Sequence, residues 1–111
     1  MSFREADFTV ATITQTAEPA IPTPTLAVEF IYLVSTAAGD LTVNLPNAVS
    51  CKNRMLCVKD RVGLANTNPI TVAATGGQTV DGAASVDIGA DWGSMNFVSD
   101  GANWFVIGAV A

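Results

Sequence analysis

Four carboxylates near the C-terminal half, Asp81, Asp87, Asp91 and Asp100, are the residues best placed to do chemistry in this chain. Paired carboxylates can serve as general acid and base, and a cluster of them can hold Ca²⁺. Here the sequence context answers for them otherwise. Asp81 and Asp100 each precede a glycine, the pattern of tight turns, and Asp87 alternates outward in ASVDIG. There is no histidine in the 111 residues, and neither a phosphate loop nor a nucleophile with an adjacent base appears. Cys51 and Cys57, six apart with no second pair, form no zinc site. Within one extended strand they would stand about 20 Å apart, too far to bridge, although a turn at Lys52–Asn53 would bring them closer. Free thiols are expected. No catalytic, metal or cofactor-binding residue is assigned, and function is expected to lie in binding or structure.

Residues suited to binding are more numerous. Trp92 lies in the loop-like stretch IGADWGS and reads as a surface contact, with a platform for sugar rings as its other reading. Trp104 sits among Phe105, Val106 and Ile107 and reads as a packing residue. Lys52, Arg54, Lys59 and Arg61 hold four of the five basic residues within ten positions. They form either a docking spot for acidic partner residues or ordinary edge-strand charge that blunts sheet-to-sheet aggregation.

The elements that must position these residues are strands. Short Val-, Thr- and Ile-rich runs alternate with Gly, Asn, Asp and Pro from Leu41 to Ile107, and no amphipathic helical period survives a Gly or Pro. The fold expected is all-β, a jelly-roll-like β-sandwich of about eight short antiparallel strands, with residues 26–111 as the domain. VEFIYLVST, a nearly continuous apolar run from Val28 to Thr36, reads as a central strand covered on both faces. AAGD turns it into LTVNLP. In MLCVKD, Leu56 and Val58 should face inward. Gly76–Gly77 suggests a hairpin into QTVDG, and Asp100–Gly101 a last hairpin pairing GSMNFVS with NWFVIGAV.

Residues 1–25 differ. FTVATIT could form a strand, but AEPAIPTPT follows it with Pro19, Pro22 and Pro24, which remove backbone donors and bar a central strand. The segment reads as an N-terminal arm and Pro-rich connector, with Phe8, Val10 and Ile13 as apolar anchors on a neighbouring subunit. A first strand plus long crossover of the same sandwich is the other reading.

Composition bounds the function class. The chain is 50% hydrophobic but only 14% charged, against about 25% in a typical domain, which suggests that a partner covers some of its surface. Its 17 Ala, 13 Val and 12 Thr suit tightly packed strands with flat, weakly charged faces. With a net charge of −5 and five basic residues it cannot neutralise many phosphates, so nucleic acid is not an expected partner. No apolar window approaches the roughly 18 residues of a membrane span, so no membrane role is expected. MSFREADFTV lacks the pattern of a secretory leader, so synthesis and assembly in a cytoplasm are expected.

One set of positions resembles a known family. Leu41, Val43, Leu45, Pro46 and Ala48 begin it; Val58, Lys59 and Asp60 follow. Asn68, Ile70, Val72, Gly76, Gly77, Thr79, Val80, Asp81 and Gly82 continue it, and Phe97 through Ile107 close it. This pattern resembles the β-module of tailed-phage fibre, head-fibre and capsid-decoration proteins over about residues 30–108. Standing with a short arm and no shaft, it looks most like the decoration (staple) proteins of epsilon-fifteen-type podoviruses. The resemblance implies a jelly-roll-like fold on the outer surface of a virion head, clamping major capsid subunits. A homodimer at two-fold positions would be the natural form, because a protein on such an axis meets itself isologously. A fibre module that binds host-surface glycan is the alternative implied.

Overall fold

A computed structural model describes residues 9–14 and 24–111. Phe8 lies outside the described residues. Eight strands form two sheets: β1 (Thr9–Thr14), β2 (Phe30–Ser35), β3 (Leu41–Asn44), β4 (Met55–Asp60), β5 (Ile70–Ala73), β6 (Ser85–Ile88), β7 (Ser94–Ser99) and β8 (Trp104–Val110). A 3₁₀ turn at Ala48–Cys51 precedes β4, its start capped by the Asn47 side chain, which accepts from the Val49 N–H. The larger sheet has the order β1-β2-β4-β7-β8 and the smaller one β3-β5-β6. The all-β sandwich expected from the strand pattern is what forms.

Strand direction departs from the expectation. β1 with β2, β2 with β4, and β3 with β5 are parallel; only β4–β7, β7–β8 and β5–β6 are antiparallel. The reason is the path of the chain. After β2 it crosses to the smaller sheet for β3, returns for β4 and crosses again for β5. Each circuit lays down one strand per sheet in the same sense as the last. AAGD is therefore an arch between sheets rather than a hairpin. Gly76–Gly77 is likewise no hairpin. Gln78 N–H closes a turn on Thr75 O (3.1 Å), and β5 pairs onward with β6 instead. The two-residue turn in this region is Asp81–Gly82, with φ of 50° and 84°, closed by reciprocal bonds between Val80 and Ala83. The β7–β8 hairpin forms where Asp100–Gly101 placed it, pairing Ser99 with Trp104, and carries a bulge beyond Phe97.

Side-chain alternation gives the core. Tyr32, Val34, Leu56, Val58, Phe97 and Trp104 from the larger sheet meet Leu41, Val43, Ile70, Val72 and Ile88 from the smaller one, all buried. Trp104 is fully enclosed, and its indole N–H donates to Pro46 O at 2.9 Å, satisfying the one polar atom it brings inside. Cys51 is buried, Cys57 half-buried, and both are free thiols.

β1 pairs all six of its residues with β2 at the edge of the larger sheet. Ala11 and Ile13 pack against the chain's own core, whereas Val10 is 59% exposed on the opposite face. Because β1 pairs with β2 alone among the described strands, deleting residues 1–14 should leave a cooperatively folding domain. Its stability should fall by about 2–4 kcal/mol, from half-buried apolar area and edge hydrogen bonds. Urea denaturation of the two chains checks this; loss of any cooperative transition would make β1 indispensable to the sandwich.

Candidate partner-binding surface

The outer face of the larger sheet, turned away from the core, is mostly apolar. The register aligns it in rows. Val10, Ile31, Cys57, Asn96 and Gly108 form one row, and Thr12, Leu33, Lys59, Ser94 and Val110 the next. Met55, Val98 and Phe105 form a third. No second layer of the described residues covers these positions. The run Val28–Thr36 was expected to be covered on both faces, but only the Tyr32/Val34 face is; Ile31 and Leu33 remain partly exposed. Phe105 (39%), Ile107 (56%) and Val110 (62%) extend the apolar surface along β8. Lys59 is the one ionisable side chain, apart from the thiol of Cys57, in these three rows. Burial pushes the Cys57 thiol above its ordinary value, against a smaller opposing pull from Lys59.

One end of this face is organised by a single carboxylate. Asp60, the last residue of β4, is fully buried. Its Oδ1 accepts from the N–H of Val62 (3.0 Å) and Gly63 (3.1 Å), and its Oδ2 from those of Ala65 (3.0 Å) and Trp92 (3.0 Å). Burial alone would raise its pKa; the four donors, from Val62, Trp92, Ala65 and Gly63, outweigh that and hold it below the ordinary carboxylate range. Two loops distant in sequence are thereby tied to the end of one strand. Asp91 adds a second tie, its Oδ1 accepting the Asn66 N–H at 2.9 Å.

Trp92 is presented by this arrangement. Its φ is +62°, a conformation that bulky side chains rarely adopt, and the residue is 56% exposed. Its N–H is held by Asp60 and its carbonyl accepts from Lys59 Nζ. The indole lies over Gly63, where a β-carbon would stand only 2.5 Å from the ring's Cε2; glycine there is what lets the ring lie down.

The other expected binding residues are dispersed. Lys52 and Arg54 precede β4 and Arg61 follows it, so the six-residue strand separates the pairs by about 20 Å. The basic stretch is thus not one spot. Lys52 and Arg61 are exposed, and Arg54 makes an ion pair with Glu29. Lys59 and Trp92 are brought together. The carboxylates serve local structure. Asp81 Oδ1 accepts the Val106 N–H (3.1 Å), Asp87 accepts the Thr71 hydroxyl (2.8 Å), and Asp100 accepts the N–H groups of Ala102 and Asn103. Those last two bonds hold the Asp100 carboxyl below its usual range. Sequence reasoning did not single out Asp60 or the outer face as a site. A signal existed for each: a lone carboxylate ending an apolar strand ahead of Arg-Val-Gly, and apolar residues at every position of β2 up to Val34.

Asp60 also sets a pH dependence. Its folded pKa lies below the unfolded value near about 4, so its contribution is full above that value. It is lost as pH falls through the folded pKa. Asp60→Asn places an NH₂ group opposite two N–H donors and should cost about 2–4 kcal/mol at pH 7. Denaturant titrations across pH 2–7 should show the gap between the two chains narrowing as acid is added below the unfolded pKa. A gap constant with pH would contradict this role.

No family model matches the chain. Over 54 residues, 48% of its length, it is 35% identical to the baseplate wedge protein gp10 of Enterobacteria phage T4. The match takes in 9% of that protein, so the chain spans less than a tenth of this curated relative. About half of the chain therefore has a homologue in a phage structural protein.

Proposed function

We propose that this chain is a non-enzymatic structural module of a phage virion. It would bind the outer surface of the assembled head and stabilise it by bridging major capsid subunits. The observation that carries the reading is the uncovered apolar face of the larger sheet. A strand such as β2, apolar on both sides, is ordinarily covered on both sides, and here the described residues supply one cover only. The similarity to a phage baseplate protein and the scarcity of charge support the same reading. A ligand that binds only the assembled lattice stabilises it by mass action. The partners of this reading are the major capsid protein and a second copy of the chain at a two-fold position. Neither nucleic acid nor membrane belongs to it.

The matched protein being a baseplate component favours a second reading, in which the module sits on the tail rather than the head. Separated heads and tails from particles lacking this protein distinguish the two. The purified chain should co-sediment saturably with heads. Saturable binding to tails alone would move the module to the tail.

Phe105→Glu tests the face itself. The side chain is on the outer side of β8, so the charge should leave the thermal transition within a few degrees of the unaltered chain's. Burial of an unpaired carboxylate at the interface should weaken co-sedimentation at least tenfold, about 1.4 kcal/mol or more. Undiminished binding would exclude this face as the contact.

A further inference from the structure

Trp92 sits in a strained conformation that gains it little burial. An exposed bulky residue in the left-handed region costs free energy and persists only where its surroundings over-determine it. Here they do. Asp60 holds the Trp92 N–H, Lys59 holds its carbonyl, and Gly63 makes room for the ring. The loop also abuts the apolar face. Ser94, two residues on, pairs with Val110 at the end of β8 and with Lys59 of β4. Trp92 therefore stands at the rim of the uncovered sheet.

We propose that Trp92 is the anchor residue of this docking face, its indole entering an uncharged apolar pocket on a protein subunit of the virion. The inference rests on the reading of the chain as a virion structural module. Three observations select a protein pocket. First, charge is balanced at the corner: Lys59 and Arg61 are offset by Asp60 and Asp91, so shape rather than net charge must recognise the partner. Second, the carboxylates of the corner already serve the protein's own backbone. Both oxygens of Asp60 accept two N–H groups each, and Asp91 accepts from Asn66. Beside the Lys59–Ser94 pair its row offers Leu33 and Val110, which do nothing for hydroxyls, and Asn96 is the one amide in the three rows. Third, area argues for an anchor. Five strands of this length present about 500 Å² in plan, short of the roughly 800 Å² per partner of a stable interface. Interfaces of that size depend on a few aromatic anchors, tryptophan foremost.

The strain supplies a test that a structural role would not pass. Trp92→Gly removes the indole and relieves the backbone. Its thermal midpoint should equal or exceed that of the unaltered chain, while co-sedimentation with the particle fraction that the unaltered chain binds should weaken about thirtyfold or more. Trp92→Phe should recover part of that loss. In a Trp104→Phe background, the remaining indole should shift its emission to the blue on binding those particles. Binding should change less than about threefold between about 0.05 and 0.5 M salt, because no net charge is matched. A lowered midpoint for Trp92→Gly would make the indole a structural prop and overturn the proposal. So would full binding by that variant, or saturable binding of host surface polysaccharide that Trp92→Gly abolishes. If the unaltered chain binds neither heads nor tails, the virion reading itself fails.

Discussion

The buried Asp60 carboxylate is the interaction on which the loops at the end of the larger sheet depend. A carboxylate taken out of water is costly unless hydrogen bonds replace the water it loses. Asp60 is replaced in full, two N–H donors on each oxygen, and those donors belong to two separate loops. The consequence is geometric. Val62–Ala65 and Trp92 have no strand to hold them in place; their position is fixed by convergence on one side chain at the end of β4. The backbone closes the same knot, with Asp60 N–H donating to Gly93 O and Arg61 N–H to Val34 O. A neutral residue of similar size could fill the space, but it could not accept four bonds.

The second constraint is the path of the chain between sheets. Because β2, β3, β4 and β5 alternate between layers, neighbouring strands run parallel without any crossover helix to cover a face. Parallel strands ordinarily sit between two layers, and their sequences are apolar throughout. β2 carries that composition, yet the described residues provide one layer. The composition of β2 and the topology around it thus make the same demand, for something outside the described residues to lie against Ile31, Leu33, Met55 and Val98. The bulge in β8 and the Asp81 clamp on the Val106 N–H work in the other direction, blunting the sheet's edge against strand addition. Both features leave the face, rather than the edge, as the open side of the sheet.

Which features were legible in the sequence follows from the range over which each is determined. Alternation in β4 placed Leu56 and Val58 inward, Asp100–Gly101 placed the last hairpin, and the neighbours of Trp104 placed it in the core. All of these are decided within about ten residues. Strand direction was not legible, because a turn signal marks a reversal of the chain without saying which sheet receives it. The basic stretch failed for a related reason. Closeness in sequence is closeness in space only within a turn, and Lys52 and Arg61 stand on either side of an extended strand. Ile13, read as an anchor on a neighbour, packs on its own core because β2 offers an edge to β1 within the same chain. The positions that carry the resemblance to phage modules are architectural in this fold. Pro46 accepts from Trp104, Asp81 clamps β8, and Asp60 ties the loops. A pattern made of such residues identifies a scaffold and leaves open what the scaffold holds out.

Trp92 shows where local rules and the folded structure diverge. Nothing in ADWGS marks the tryptophan as the residue to adopt positive φ; the adjacent glycine would do so at no steric cost. The fold places the strain on the bulky residue because both of its backbone polar groups are claimed by β4, the N–H by Asp60 and the carbonyl by Lys59. Sequences that fold well mostly agree with themselves at every level, and the exceptions concentrate where a protein meets something else. Trp92 is an exception to that self-agreement, an exposed indole whose backbone is held on both sides by a strand with the core on its inward face and no second described layer on its outward face. The same strand thus anchors the fold through Leu56 and Val58, ties the loops through Asp60, and holds the Trp92 carbonyl through Lys59.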